Sequence, residues 1–436
     1  MLGEPAGLAK LDARRGAMGR MAMVILEEIL NKANMEAAWA AVKANDGAAG
    51  VDRKNVSATQ LHLAQHWTDV REKLLSGDYR PAAVRAVEIP KANGGVRMLG
   101  IPTVQDRLIQ QALHQSLSAV FEPSMSEHSY GFRPHRSAHD AVTAARSFVQ
   151  QGKKWVVDID LKNFFDQVSH DRLMNLISPG VSDKRVLRLI GRYLRAPIRH
   201  ADGRQEKRLR GTPQGGPLSP LLANIYLGPL DRELEQRGIA FVRYADDVAL
   251  FLSSERAAAR ALESITSWLK KVLDLEVNQD KSGSGPSDNS SLLGFRIGQD
   301  GNVSVAPKAI QRLKERVRQL WDARQSLTSK ELRTQWRQYI IGWWNYFEYA
   351  NKRREVETLS GWIRRHMRKC FWQRWHSRQG RYNNLHRLGI RGRSLGVAGC
   401  RRGAWPMSVN VVVNRALKTR VLEHYGFILP WAPAAS

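Results

Sequence analysis

Two adjacent carboxylates, Asp246 and Asp247, lie in the middle of the apolar run Ile239–Phe251. The residues on both sides favour β-strands, so the run predicts a β-hairpin with the carboxylates at or beside its turn. On a regular strand neighbouring side chains point to opposite faces, whereas at a hairpin tip both can approach the same ions. The alternative interpretation is an ordinary acidic turn.

A third carboxylate, Asp160, ends a predicted buried strand that begins at Trp155. Asp158 shares its face of that strand, so spacing alone leaves both aspartates as candidates. Carboxylate oxygens are preferred ligands of Mg²⁺. Two Mg²⁺ ions held by three carboxylates suit nucleotidyl transfer, because one ion activates the attacking 3′-oxygen and the other holds the triphosphate and the leaving oxygen. The pattern therefore predicts the palm of a polymerase.

Two segments near the carboxylates could bind the incoming nucleotide. Phe165 lies where a bulky ring could wall the sugar pocket and exclude a 2′-hydroxyl, although Phe164 and Phe165 could both be core residues. Gln214 lies in the Gly- and Pro-rich loop Gly211–Pro220 and offers both a donor and an acceptor. The glycines of this loop would let its backbone approach a nucleotide closely.

Three cations complete the predicted site. Lys91 and Arg97 flank the Asn93-Gly94 turn of a predicted hairpin. Placed over the palm, Lys91 could bind a triphosphate as a point charge and Arg97 as a two-pronged hydrogen-bond donor. The simpler alternative is that both are exposed charges of the hairpin. Lys281 could protonate the leaving pyrophosphate.

The chain carries a formal net charge of +27, which implies a polyanionic partner. Nucleic acid fits better than an anionic membrane, because clustered Lys and Arg gain affinity by releasing phosphate counterions. No apolar stretch is long enough to span a bilayer.

The two cysteines rule out a zinc finger and fit a reducing cytoplasm. Two histidine pairs at i,i+4 spacing, His62 with His66 and His135 with His139, lack an obvious third metal ligand.

Helical spacing of apolar residues predicts one helix over 24–44, a helical segment over 171–194 and one helix over Val356–Trp375. From Pro307 the sequence predicts long helices that interleave aromatic residues with basic ones. The densest segment is Trp362–Trp375, whose tryptophans are predicted to be mostly core. Its basic residues are predicted to contact nucleic acid: Arg364, Arg365, Arg368, Lys369 and Arg374.

These motifs, in this order, resemble those of bacterial group II intron reverse transcriptase/maturases, and within them the short class without an endonuclease domain. The resemblance extends over about residues 24–425. It is carried by Arg80–Leu113, Ser126–Ala141, the D-I-D-L-K-N-F-F-D and G-T-P-Q-G-G-P-L-S-P segments, Y-A-D-D, Leu292–Phe295, Gly342–Phe347 and the late R-G-x-W motif at Arg402–Trp405. The family pattern favours Asp160 over Asp158 as the metal ligand.

The resemblance implies an α+β right-hand polymerase with a fingers and palm region around an antiparallel sheet. The implied parts are a disordered N terminus (1–23), an N-terminal extension (24–78), fingers (79–155), a palm (156–305, with about 171–210 contributing to the fingers), an α-helical thumb or maturase X domain (306–378) and a small C-terminal DNA-binding region (379–436).

The function implied is that of an RNA-directed DNA polymerase encoded by a group II intron. Such a protein copies intron RNA into cDNA during retrohoming and, as a maturase, binds that RNA to assist splicing. Its implied partners are the intron RNA template, target DNA and dNTPs, with no membrane, in a bacterial cytoplasm close to the nucleoid. No H-N-H-type Cys/His cluster follows the tail, so the primer is expected to come from elsewhere, such as a nascent strand at a replication fork.

Two alternatives remain. One is a related reverse transcriptase recruited by its host for phage defence, spacer acquisition or DNA repair. The other is a non-enzymatic RNA-folding protein with a relic palm, which the intact set of site residues argues against. The thumb and the R-G-x-W motif favour the intron-encoded enzyme over the recruited one.

Overall fold

The computed structural model describes residues 24–90, 96–351 and 353–431, without the side chain of Arg97. The predicted disordered N terminus, Lys91 and the Asn93-Gly94 turn therefore lie outside the described residues. The chain divides into two compact units, whose described parts are 24–144 with 155–285 and 145–154 with 286–431. Within these ranges, every helix is too short or too polar to cross a membrane.

The first unit combines helices with two four-stranded sheets. Its helices are α1 (Leu26–Ile29), α2 (Lys32–Asn45), α3 (Val56–Leu75), α4 (Val104–Phe121), α5 (Ala138–Gln150, whose last residues belong to the second unit), α6 (Phe164–Gln167), α7 (His170–Ile177), α8 (Lys184–Arg195), α9 (Ser219–Gln236) and α10 (Glu255–Trp268). Its strands are β1 (Val84–Pro90), β2 (Val96–Ile101), β3 (Trp155–Asp160), β4 (Ile198–Arg199), β5 (Gln205–Glu206), β6 (Ala240–Tyr244), β7 (Asp247–Leu252) and β8 (Gly283–Pro286, ending in the second unit).

Helix starts account for the main differences from the sequence prediction in this unit. The prediction of one helix over 24–44 is wrong, because Asn31 interrupts it and accepts a hydrogen bond from the Asn34 N–H at 2.8 Å. That bond is an N-cap, which begins a new helix. The helical segment predicted over 171–194 is likewise two helices, α7 and α8, separated by a short 3₁₀ turn at Ser178–Gly180.

The sheet that carries the acidic residues has the strand order β6-β7-β3-β8. Strand β7 pairs antiparallel with both β3 and β6. One face of this sheet belongs to the main hydrophobic core and is lined by fully buried side chains, including Val157, Ile159, Phe241 and Leu250. Because side chains alternate along a strand, the residues between these point to the opposite face, which carries the carboxylates.

The second sheet, of order β2-β1-β4-β5, confirms the two predicted strands on either side of the Asn93-Gly94 turn. Strands β1 and β2 pair antiparallel, and β1 also pairs parallel with the short strand β4. Helix α4 packs beside α2 and α3 and buries its apolar stripe in the same core as the sheet of β6, β7, β3 and β8.

The second unit is mainly helical. It contains strands β9 (Phe295–Ile297) and β10 (Val303–Val305) and helices α11 (Pro307–Leu320), α12 (Ser329–Phe347), α13 (Arg354–Glu357), α14 (Leu359–Arg374), α15 (Arg378–Arg387), α16 (Ala404–Met407), α17 (Val411–Ala416) and α18 (Thr419–His424). The contact-based boundary falls at residue 285, whereas the predicted palm runs to 305. The six-part division of the chain stays a prediction.

Aromatic packing holds this unit together. Trp321, Trp336 and Trp372 are fully buried. Within Trp362–Trp375, Trp372 is a core residue as predicted, whereas Trp362 and Trp375 are half-buried. The Trp321 ring lies 5.5 Å from that of Trp336 and 5.3 Å from that of Phe427, in edge-on contacts. Trp336 also donates through Nε1 to the Ile428 carbonyl at 2.9 Å. The C-terminal segment is therefore part of the same core as helices α11 and α12.

Candidate active site

The paired aspartates lie at the tip of the β6–β7 hairpin, as the sequence predicted. Tyr244 pairs with Asp247, so Ala245 and Asp246 form a two-residue turn. Ala245 has a φ of 59°, the left-handed conformation that such hairpin turns need at their first position. Alanine adopts this conformation only at a cost, so the surrounding structure must hold the turn in place.

The sheet register brings the upstream aspartate to this tip. Asp160 is paired directly with Asp247. Asp158 is paired with Ala249, which lies on the same face of the sheet but two residues further from the turn. Directly opposed side chains in an antiparallel pair lie close together on one face. The register therefore favours Asp160 over Asp158 as the partner of the hairpin carboxylates.

The carboxylates repel one another. The pKa of Asp247 is raised to about 6, first by burial and then by the charges of Asp246, Asp160 and Asp158; Lys281 acts in the opposite direction. Solvent still reaches Asp247, so a hydrated cation has access to the cluster. A divalent cation bound here would offset this repulsion, which is how hard cations are held by carboxylates. The charges and donor atoms therefore fit a divalent metal.

The described carboxylates do not surround a single metal position. Among the residues that the structure describes, no three His, Cys, Asp or Glu side chains are arranged around one metal position. The His62 and His66 rings lie 4.5 Å apart and likewise gain no third described ligand. The case for a metal at the hairpin rests on the register and on the charge cluster.

Lys281 joins the site, as predicted. Its Nζ lies 3.9 Å from Asp160 Oδ2, and its side chain is more than half exposed. The turn that carries it is fastened to the end of β3, because the Asn278 N–H donates to the Asp160 carbonyl at 2.8 Å and the Asp160 N–H donates to Ser282 Oγ at 2.9 Å. The backbone that carries Lys281 is therefore fixed beside Asp160, and its exposed ammonium lies close to the carboxylates.

A cavity of about 630 Å³ contains two of the predicted nucleotide-binding residues, Phe165 and Gln214. Phe164 is 2% exposed and Phe165 is 9% exposed, their rings lie 5.2 Å apart, and both belong to the main hydrophobic core. Both phenylalanines are therefore core residues, and Phe165 also lines the cavity; its contact with the sugar stays a prediction. The side chain of Arg97 is not described, so its placement, like that of Lys91, stays a prediction.

The loop that carries Gln214 is fastened to the Phe165 segment by backbone hydrogen bonds. Thr212 N–H donates to the Phe165 carbonyl and Gly211 N–H to the Val168 carbonyl, both at 2.7 Å. Gly211 has a φ of 85°, and a Cβ there would lie 2.7 Å from the Phe165 carbonyl oxygen, so glycine is required on both counts. These bonds fix the two walls of the cavity relative to each other.

Sequence reasoning missed two residues that also line the cavity, Phe132 and Arg107. Phe132 is exposed, with a φ of 58°, and its ring lies 6.4 Å from that of Tyr244 in the hairpin. Arg107 donates to the Gly47 carbonyl at 3.0 Å. The Gly-Phe-Arg-Pro sequence around Phe132 gave a partial signal, but the left-handed backbone that turns this ring outward could not be derived from spacing.

The basic residues of α14 make contacts within the second unit. Arg365 donates to Ser408 Oγ at 3.1 Å, and its guanidinium lies 3.8 Å over the Trp405 ring. Arg368 donates to the Leu417 carbonyl at 3.1 Å, and Arg374 donates to the Gln325 carbonyl at 3.3 Å. Arg364 and Lys369 are half-buried as well. Contact of these five side chains with nucleic acid stays a prediction.

His366 lies between two tryptophan rings on this helix, 4.3 Å from Trp362 and 5.0 Å from Trp405. Its pKa is lowered to about 4, first by burial and then by the charges of Lys369, Arg318 and Arg365. The imidazole is therefore neutral at pH 7. The R-G-x-W segment thus packs its tryptophan onto α14 through a neutral histidine and a stacked arginine.

Two family models match this chain. The model described as reverse transcriptase (RNA-dependent DNA polymerase) matches residues 89–297, and the group II intron, maturase-specific domain matches residues 310–389. Protein YkfC of Escherichia coli K12 is 34% identical over 57% of this chain and 75% of its own length. The chain belongs to the family of group II intron reverse transcriptase/maturases. Its predicted family, right-hand polymerase fold class and enzyme class, RNA-directed DNA polymerase, are thereby confirmed.

The chain is also similar to one further curated protein and, more weakly, to a solved structure. The group II intron-encoded protein LtrA of Lactococcus lactis subsp. cremoris is 42% identical over 39% of this chain, but the match covers 28% of LtrA. The structure of telomerase from Candida albicans, in complex with a fragment of telomeric RNA, has a TM-score of 0.42 at 13% identity, over 72% of this chain and 64% of that one. The family assignment rests on the family models and on YkfC. Reverse transcriptases of this family depend on divalent metal ions, and the maturase domain indicates that the chain binds RNA.

Proposed function

We propose that this protein copies a group II intron RNA into cDNA by two-metal nucleotidyl transfer, with Asp160, Asp246 and Asp247 holding two Mg²⁺ ions. The observation that carries the proposal is the register that pairs Asp160 with Asp247, beside Asp246 in the turn. The charge cluster supports it, because a cation at this place would be attracted by all three carboxylates; after burial, the charges of Asp246 and Asp160 raise the pKa of Asp247.

The remaining residues have roles that follow from their chemistry. The bound ions would supply activation of the primer 3′-oxygen and charge stabilisation of the triphosphate. Phe165 would wall the sugar side of the cavity against a 2′-hydroxyl, and Gln214 would hydrogen-bond the nucleotide. Lys281, with its ammonium 3.9 Å from Asp160, would donate a proton to the departing pyrophosphate. Lys91 and Arg97 would clamp the triphosphate from the β1–β2 hairpin.

We also propose that the second unit binds the intron RNA and assists its splicing, and that the C-terminal region contacts target DNA during retrohoming. The maturase-specific match over 310–389 and the formal charge of +27 support this. RNA with tertiary structure is recognised mainly through shape and backbone, which basic helices can provide. The protein would act in the bacterial cytoplasm, close to the nucleoid and its target DNA.

Primer extension on an RNA template with Mg²⁺ and dNTPs tests the polymerase proposal. We expect full-length cDNA from the wild type and none from Asp246→Ala or Asp247→Ala, while RNA affinity in a filter-binding assay stays unchanged. Asp202→Ala is the matched control, because Asp202 is an exposed carboxylate on a separate turn. Synthesis by the Asp246→Ala protein, or an equal loss of RNA binding and synthesis, would contradict the assigned roles.

Splicing is measured separately. The precursor RNA that contains the intron is incubated at low magnesium with wild-type protein, with Asp246→Ala or alone. Splicing stimulated by both proteins would separate maturase action from the polymerase site. Stimulation by neither would leave the polymerase proposal in place and remove the maturase proposal.

A further inference from the structure

A buried arginine lies directly under the hairpin turn. Arg243, on β6, is 0% exposed and points to the core face of the sheet, away from Asp160 and Asp247. Its guanidinium makes a two-pronged ion pair with Asp231 of α9, with distances of 2.7 Å from Nε and 2.6 Å from Nη2. Such a fork matches a carboxylate geometrically and fixes the plane of the guanidinium.

The third nitrogen of the same guanidinium reaches the turn. Nη1 donates to the Ala245 carbonyl at 3.0 Å and to Asn224 Oδ1 at 2.8 Å. The Ala245 carbonyl belongs to the peptide unit that joins Ala245 to Asp246. Its direction therefore sets the direction in which the chain enters Asp246.

Asn224 extends the link to a second segment. Its Nδ2 donates to the Gly131 carbonyl at 2.8 Å. The backbone of Arg243 pairs with this segment as well, because its N–H donates to the His128 carbonyl at 2.9 Å and its carbonyl accepts from the Tyr130 N–H at 2.8 Å. One guanidinium thus connects helix α9, the segment 128–131 and the catalytic turn.

Stability alone does not explain such a group. A buried ion pair often contributes no more than well-packed apolar side chains of the same volume, because both charges lose their hydration. The ion pair fixes the orientation of the guanidinium, so that Nη1 is held against the carbonyl of the strained Ala245. Backbone strain of the kind seen at Ala245 persists only where neighbouring groups over-determine it.

We propose that Arg243 is a positioning residue for the metal-binding hairpin: it holds the Ala245 peptide so that Asp246 and Asp247 present their carboxylates to the same ions. This inference rests on the proposed polymerase function. Lysine at the same position would keep the charge opposite Asp231 but lacks the planar fork, so it cannot hold Asp231, Asn224 and Ala245 in one arrangement.

The test compares Arg243→Lys and Asn224→Ala with Arg185→Lys. Arg185 is the matched control, because it also makes a two-pronged ion pair with a carboxylate, Asp183 at 3.1 and 2.8 Å, but lies on α8 and, among the described residues, has no hydrogen bond to the 128–131 segment. Each protein is measured for thermal unfolding without metal, for Mn²⁺ binding by electron paramagnetic resonance, and for single-turnover cDNA synthesis. RNA affinity and the KM for dNTP are recorded alongside.

We expect Arg243→Lys to lower the single-turnover rate by about 100-fold and Asn224→Ala by about 10-fold, the scale of an ångström-sized misplacement. Mn²⁺ affinity should fall in both variants, while RNA affinity and the KM for dNTP stay within about threefold of wild type. Arg185→Lys should bind Mn²⁺ and synthesise cDNA as the wild type does, even where its thermal stability falls.

Normal Mn²⁺ binding by Arg243→Lys and Asn224→Ala would make Arg243 a purely structural residue and overturn the inference. If Arg243→Lys does not fold, Asn224→Ala decides the matter on the same readouts, because it removes the Oδ1 acceptor of Arg243 and the Nδ2 donor to the Gly131 carbonyl and leaves the Arg243–Asp231 pair in place. If the wild type makes no cDNA, the proposed function fails, and the Mn²⁺ comparison still tests whether Arg243 positions the hairpin.

Discussion

Replacing Gly131 with alanine should disturb the catalytic turn more than it disturbs the fold. A Cβ on Gly131 would lie 2.4 Å from the Ala245 nitrogen and 2.9 Å from the Tyr244 carbonyl carbon. Both are backbone atoms, so no flexible side chain can move aside. The backbone of Gly131 is outside the left-handed region, so alanine itself would be unstrained there and the whole effect comes from this contact.

The size of the effect follows from the distances. Ordinary van der Waals contact begins at 3.4 Å, so the turn and the 128–131 segment must separate by about 1 Å. A misplacement of this size in a catalytic group costs up to about 100-fold in rate. Overpacking of this kind costs about 1–3 kcal/mol in stability. We therefore expect Gly131→Ala to fold, to bind RNA normally and to extend a primer about 10- to 100-fold more slowly than wild type.

Single-turnover primer extension and thermal unfolding of the same preparations measure the two effects. Gly228→Ala is the control: Gly228 lies within α9, and the nearest atom to its Cβ would be Arg232 Nη1 at 3.4 Å, on a flexible side chain. This variant should be as stable as wild type or slightly more so, because alanine favours a helix interior. A wild-type rate for Gly131→Ala would refute the idea that this contact sets the position of the turn.

Two further predictions concern other parts of the chain. Phe165→Val should raise the incorporation of ribonucleotides relative to dNTPs, because the ring walls the cavity; an unchanged ratio would leave Phe165 as a packing residue. His366→Gln should reduce the loss of unfolding free energy that the protein shows as the pH falls from 7 to 4.5. The folded pKa of His366, about 4, lies below its ordinary 6.5, so the unfolded chain binds more protons between these values. The stability that this group contributes is complete above pH 6.5 and is lost as the pH falls towards 4, by at most about 3 kcal/mol. Equal losses in wild type and variant, measured by urea unfolding at pH 7 and 4.5, would show that burial and the neighbouring charges of Lys369, Arg318 and Arg365 do not depress this pKa.

The site was predictable where local pattern determines it. Adjacent carboxylates between β-prone apolar flanks can hardly be anything but a hairpin tip, and the structure has the turn at Ala245-Asp246. The choice between Asp160 and Asp158 was not local, because it depends on which residue of β7 each one faces. Register across a sheet comes from tertiary pairing, so spacing within one strand cannot supply it.

Helix ends show the same limit. Asn31 begins a new helix with a side-chain cap, and α13 and α14 meet at Thr358 inside a segment predicted as one helix. Apolar periodicity continues across both positions, so the pattern alone favours an unbroken helix. In the second unit, composition indicated a nucleic-acid partner but did not show that Arg365 and Arg368 are already hydrogen-bonded within the unit.

Arg243 was missed although the sequence held a signal for it. In strand β6, Phe241 and Arg243 point to the same face, and Phe241 is a core residue. An arginine at a core-facing position is rare unless a partner is buried with it. Asp231, on the helix immediately before the strand, is such a partner. Period-two alternation applied to the flanks of the acidic pair would have shown that this arginine cannot be an ordinary surface charge.

The hairpin concentrates features that are individually unfavourable: a left-handed alanine, crowded carboxylates and a buried ion pair. Each costs free energy, and a sequence selected for stability alone would avoid them. The first and third are coupled, since the buried guanidinium hydrogen-bonds the carbonyl of the strained alanine. The cations of the proposed function would relieve the second. The turn is thus strained at Ala245, held from the core side by Arg243 and negatively charged on its open side, which is the arrangement expected of a hairpin that binds cations.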